Sequence, residues 1–219
     1  MKIRAFSVLA ATGGLLGAAM LVASFSLNVG PAPDMTSSAQ LIAFGRANFS
    51  LVLWGAWLQA IGPVFIVLFA FAIVYLSGAG TRVAGWMTIF GTCTLMTVSL
   101  VEIVFYMSAL NSDPESMSVI SLELIRSVQH LYFIVAAPAL FLPLGVVILG
   151  ADVLPRILGY LALALGAAFG AAGMITLHDL VVPVAVQASA SIQVIWWLAA
   201  AVTLIVRSGR QVAGNEADR

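Results

Sequence analysis

Six stretches of this chain are apolar without interruption for roughly 20 residues or more, which is what one helical crossing of about 30 Å of hydrocarbon requires. They cover residues 5–27, 50–76, 83–110, 122–149, 157–177 and 181–206. Inside a bilayer, backbone polar groups find partners only within a helix or around a closed barrel. Barrel strands alternate apolar and polar residues over about ten positions, whereas these runs are apolar all round. The sequence therefore predicts an all-α fold: a polytopic membrane bundle of six transmembrane helices. It forms one domain over 1–207, followed by a polar, fraying tail over 208–219. Residues 37–44 are expected to form a short interfacial helix capped by Ser37 or Ser38.

Composition agrees. Only 8% of the 219 residues are charged, against about 25% in a soluble domain. Net charge is zero, so no basic surface exists to meet the phosphates of nucleic acid. The single cysteine, Cys93, rules out an internal disulfide or a multi-thiolate metal site and is expected to be a small packing residue. The first apolar run follows Lys2 and Arg4 like a leader peptide, but it is longer than a leader's apolar region and is read as a true span.

Basic residues set the expected orientation. Lys2, Arg4, Arg82, Arg156, Arg207, Arg210 and Arg219 fall on one side of a six-span chain; only Arg46 and Arg126 fall on the other. Both termini are expected to be cytoplasmic, in a cell inner (plasma) membrane. Asp34, Asp113, Glu115, Glu123 and Asp179 lie on the opposite side.

Two turns on the terminal side resemble each other. Tyr75-Leu76-Ser77-Gly78 leads to Arg82-Val83-Ala84-Gly85-Trp86, and Ile148-Leu149-Gly150 leads to Arg156-Ile157-Leu158-Gly159-Tyr160. Upstream, Trp57 and Pro63 precede one turn as Tyr132 and Pro138 precede the other. Parallel duplication of a helical hairpin explains this and would place a site between the copies. Convergence explains it as well, since any hairpin uses an Arg and an interfacial aromatic there.

Ionisable residues inside the spans are the functional signal, because they are costly in hydrocarbon and are kept for a partner, a ligand or a proton. At 1.5 Å per residue, Glu102 lies about 12 Å below the outer surface, and His130 lies at a similar depth in the next span. The two are expected to meet across the hairpin. Glu123, Arg126 and His130 share one face of span four, and Tyr106 stands one turn outward of Glu102. His178 and Asp179 close span five on the same side. Trp57, with Trp54, Gln59 and Tyr132, either walls the pocket or belongs to the aromatic belt. Gln193 is expected to donate across the bundle, and Trp196 and Trp197 to fill space between helices.

The expected ligand-binding set is thus Glu102, Tyr106, Glu123, Arg126, His130, His178 and Trp57. A proton-linked Glu102–His130 pair and Arg126 as anion anchor would hold a small lipophilic or weakly acidic molecule. Two alternatives stand beside this: an intramembrane enzyme with His130 and Glu102 as its acid–base pair, and an accessory subunit whose polar cluster only fixes helix register. Two histidines without HxxxH or HExxH spacing argue against a metal or haem, no G-x-S-x-G turn is present, and the only lysine is Lys2, outside the spans. No cofactor is specified. Besides lipid, the expected partners are a second copy or a larger membrane complex, docked through the small-residue seams Gly13-x-x-x-Gly17 and Gly166-x-x-x-Gly170 with Gly173.

Over residues 141–173, the Leu142-Pro143-Leu144-Gly145 run followed by Leu154-Pro155-Arg156 and a Gly/Ala/Leu-rich span resembles part of an uncharacterised family of bacterial six-span membrane proteins. The likeness covers about a sixth of the chain. It implies six spans and a bacterial inner membrane, and carries no site residues.

Overall fold

A computed structural model describes residues 2–28, 38–111, 115–175 and 183–217. All regular structure among them is helical: α1 (Lys2–Asn28), α2 (Ser38–Ala47), α3 (Phe49–Leu76), α4 (Val83–Asn111), α5 (Glu115–Leu131), α6 (Ala137–Leu149), α7 (Arg156–Ile175) and α8 (Pro183–Ala217). A five-residue π-helical turn, Tyr132–Ala136, joins α5 to α6 as one crossing. Six helical segments are long and apolar enough to cross a membrane: Ala5–Leu27, Phe49–Leu76, Val83–Ala109, Val119–Leu149, Arg156–Ile175 and Ser191–Gly209.

These match the six predicted spans, with shifts at their ends. The last crossing lies within α8, which begins at Pro183 and runs on to Ala217 through the segment expected to fray. Arg, Gln, Glu and Ala there are all competent helix formers, and no proline stops them. α2 occupies the position of the expected interfacial helix; Ser37, one of its two candidate caps, lies outside the described residues.

Close approaches fix the direction of each crossing. Ser24 donates to the Gly55 carbonyl (2.8 Å), Gly17 sits against Gly62, and Gly14 sits against Phe69, so α1 and α3 are antiparallel. Gly145 meets Gly159, Gly166 meets Leu142, and Gly173 meets Ile134, so α6 and α7 are antiparallel too. Crossings adjacent in sequence pack side by side, and α8 closes the ring against α1 and α7. Both ends of the six-crossing chain lie at one face, called here the terminal face; the other is the loop face. The small-residue seams around Gly17, Gly166 and Gly173 are thus filled from within the chain, by α3 and by the α6 crossing. Without a hydrophobic driving force between helices in lipid, such close backbone packing is a principal source of stability.

The centre is aromatic. Trp197 packs on Phe69 (ring centroids 6.1 Å) and Phe141 (5.5 Å), Trp196 packs on Trp197 (4.7 Å), and Phe141 stacks on Phe169 (6.0 Å). The Trp196 indole N–H donates to the Leu158 carbonyl at 3.0 Å, leaving its polar edge satisfied. The two tryptophans do fill space between helices, as expected. Cys93 does not pack inside; it is exposed on the outer side of α4, because its neighbours Thr92 and Gly91 take the inward positions.

At the terminal face, α3 ends in a Schellman motif. Ala79 N–H bonds Val74 O (3.0 Å) and Gly78 N–H bonds Tyr75 O (3.0 Å), with Gly78 at φ +60°, which is where glycine is favoured. The second turn has no such left-handed residue, since Gly150 has φ −85°. The two turns touch: Arg82 donates to the Gly150 carbonyl (3.4 Å), and Arg207 donates to that of Asp152 (2.6 Å).

Candidate functional site

One face of α4 collects its inward residues at alternating steps of three and four: Thr88, Thr92, Leu95, Ser99, Glu102, Tyr106 and Ala109. Each is buried or half-buried. Glu102 falls on this face in the loop-face half of the bundle and keeps only 9% of its surface exposed. A carboxylate there has to be satisfied by protein donors.

Two glutamines from flanking crossings supply them. Gln59 of α3 donates its Nε2–H to Glu102 Oε2 at 2.8 Å, and Gln129 of α5 donates its Nε2–H to Oε1 at 2.7 Å. Each carboxylate oxygen thus accepts one amide hydrogen, from opposite sides. Ser99 Oγ donates to the Gln59 backbone carbonyl (3.1 Å), fixing α3 against α4 one turn below. Tyr106, half-buried, stands one turn outward of Glu102 on the same face. Nearer the loop face, the hydroxyls of Ser108 and Ser121 lie 2.8 Å apart and tie α4 to α5.

The π-helical turn extends the cluster. Ala137 N–H bonds Tyr132 O across five residues. Pro138 has no N–H to offer the Ile134 carbonyl, so the normal helical ladder is already interrupted there. Tyr132 packs edge-on against Phe133 (5.6 Å) and Phe169 (5.7 Å), and its hydroxyl donates to Gln193 Oε1 of α8. Gln193 therefore bonds across the bundle as an acceptor, not as the expected donor.

The predicted residues are distributed as follows. Glu102 and Tyr106 lie in the cluster. His130, next to Gln129, is half-buried, and its Nε2 is buried with no hydrogen-bond partner. It does not hydrogen-bond Glu102, whose oxygens are taken by the two amides. Arg126 donates to Glu123 at 2.6 Å, one turn back on the same helix, as a partly exposed pair separate from Glu102. Trp57 is 54% exposed and Trp54 66%, a position suited to the aromatic belt. His178 and Asp179 lie outside the described residues. Among the described residues, no group of three or more His, Cys, Asp or Glu side chains is placed to hold a metal ion.

Gln129 is the residue that sequence reasoning missed. It lies beside the buried stripe Ser121, Ile125, Val128, and an uncharged amide within an apolar stretch was the available signal. Comparison with known proteins adds nothing further: no family model, no curated protein and no solved structure matches the chain.

Proposed function

We propose that the chain is a multi-pass protein of a bacterial inner membrane, both termini cytoplasmic, that binds a small lipophilic molecule bearing a positive charge or a hydrogen-bond donor at Glu102. One observation carries the reading: a carboxylate deep in the bundle is held between two neutral amides, and no guanidinium or imidazole among the described residues is hydrogen-bonded to it. An intramembrane acid left without a cationic partner is suited to receive one from outside. Gln59, Tyr106, Gln129 and His130 are each half-buried, so the cluster reaches the bundle surface where a guest enters.

This refines the ligand class. Arg126 is engaged by Glu123, which favours a cationic or donor-bearing guest over a weak acid anchored by Arg126. A catalytic His130–Glu102 pair is less well supported, because no hydrogen bond joins the two side chains.

Orientation rests on the arginines. Arg82, Arg156 and Arg207 are exposed at the terminal face, as cytoplasmic loops favour. We also read the hairpin α3–α4 and the hairpin from α5 through α7 as copies. Each turn buries one apolar residue, Ala79 or Leu154, and leaves its arginine and the following aromatic, Trp86 or Tyr160, exposed.

The test is binding of tetraphenylphosphonium, a lipophilic cation, to the full chain in lipid nanodiscs by equilibrium dialysis. Glu102→Gln is expected to weaken binding at least about tenfold, the effect of losing about 1.4 kcal/mol; Glu123→Gln is expected to leave it unchanged. Equal affinity in wild type and Glu102→Gln removes the site.

A further inference from the structure

We infer that the guest at Glu102 exchanges with a proton, so that the site is a one-for-one cation/proton exchanger. The inference rests on the binding reading above and adds what balances the carboxylate when no guest is present. Among the described residues no cationic side chain hydrogen-bonds Glu102, and an uncompensated charge at this depth is strongly disfavoured. The empty site is then neutral only with a proton on the carboxyl group.

Both partners are suited to serve either form. A carboxylate only accepts hydrogen bonds, so both amides must present N–H, as Gln59 and Gln129 do here. A protonated carboxyl group needs one acceptor. An amide turned end for end offers its Oε1 to that O–H while the other amide continues to donate. Two charged partners would lock the ionised form, and two apolar ones would forbid it; two carboxamides allow both with every hydrogen bond kept.

The groups facing Glu102 support a stoichiometry of one. On α4 itself Tyr106 stands one turn outward of Glu102, and Tyr132 of the π-helical turn gives its hydroxyl hydrogen to Gln193. α3 contributes Gln59, α5 contributes Gln129, and the Gln193 amide of α8 bonds Tyr132. His130 makes no hydrogen bond to the carboxylate. In the exchange step the carboxyl O–H bond breaks, the proton passes to bulk water, and the guest's positive charge takes its place beside the carboxylate.

The chemistry of the lining specifies an organic cation. A hard metal ion asks for six or more oxygen ligands, whereas the carboxylate and both amides, even turned, would offer four. An aromatic ring one turn outward, that of Tyr106, favours a delocalised or alkylated cation.

The experiment measures proton release as tetraphenylphosphonium is added to the full chain in nanodiscs in weakly buffered solution, together with binding across pH. About one proton released per cation bound is expected, with affinity rising up to tenfold per pH unit and then levelling off. Glu102→Gln is expected to show neither proton release nor pH-dependent binding. Binding that depends on Glu102 but releases no proton, with affinity flat across pH, overturns the exchange and leaves the binding reading intact. Absence of binding in the wild-type protein, or equal binding in Glu102→Gln, overturns both. The proton count is read on the unmodified chain, so the outcome does not depend on whether a variant folds.

Discussion

The same crossings are held together differently in the two halves of the bundle. Toward the terminal face, Phe69, Phe141, Leu144, Ile148 and Trp197 are buried almost completely, and nearby hydroxyls turn back on their own helix. Thr88 donates to Ala84 O (2.8 Å) and Thr92 to Thr88 O (2.7 Å). Toward the loop face the polar groups reach across: Ser24 to α3, Gln59 and Gln129 to Glu102, Ser99 to α3, Tyr132 to α8. The first half is closed mainly by shape, with Trp196, Arg82 and Arg207 as its cross-links, and the second is linked by side-chain hydrogen bonds centred on Glu102. A membrane protein that needs both a fixed frame and a responsive site can divide the two along its helices, because packing in lipid depends on contact alone. The π-helical turn, with Phe133 and Tyr132 in it, lies where the two regimes meet.

The largest test of this contrast is truncation in the aromatic frame. Phe141→Ala removes a ring that contacts Phe169, Trp196 and Trp197, and is expected to cost about 3–5 kcal/mol. Trp57→Ala, on an exposed ring, should stay within about 0.5 kcal/mol. Unfolding titrations in mixed micelles compare the two, and a cost at Trp57 equal to that at Phe141 breaks the distinction.

How much of this was readable beforehand follows the physics of each feature. Continuous apolar runs of this length favour helical crossings, so the six long apolar helices were legible. Rotation about each helix axis was not, because a helix apolar all round gives no marker of its inward face. The polar spacing of Glu123, Arg126 and His130 identified a shared face of α5, and the inference that this face meets Glu102 was off by one residue. Ile125 and Val128 mark the inward side, and Gln129 accompanies them. Pro138 lacks an N–H and so interrupts any helix it enters, but the sequence carries no sign that a π-helical turn would bring the Tyr132 hydroxyl to Gln193. The seams at Gly17 and Gly166 were visible as close-packing faces; their partners within the chain emerged only from the folded arrangement.

A second test sharpens the account of the polar half through a difference in sign. Gln129→Leu leaves one oxygen of a buried carboxylate without its donor, which is expected to cost about 1–3 kcal/mol. Glu102→Gln exchanges a carboxyl group for an amide of the same shape, and hydrogen bonds to both glutamines remain available. No partner is orphaned and no buried charge is created, so this variant should unfold no earlier than wild type under the same titration. A frame that needed the carboxyl group would reverse the order, with Glu102→Gln the weaker of the two.

The smallest effect separates the hydrogen bond from the ring at the junction between the halves. Tyr132→Phe retains the edge-on contacts with Phe133 and Phe169 and deletes only the bond to Gln193. Interhelical hydrogen bonds in a bundle within lipid average about 0.6 kcal/mol, so stability should fall by about that much. Gln193 is 7% exposed, and its Oε1 then has to find another donor or remain unsatisfied. The Gln193→Leu variant in the Tyr132→Phe background should therefore recover most of the loss, since removing both partners costs less than orphaning one. A double variant no more stable than Tyr132→Phe alone would show that Gln193 holds α8 by some contact other than the phenol, and that the polar half ends at α5.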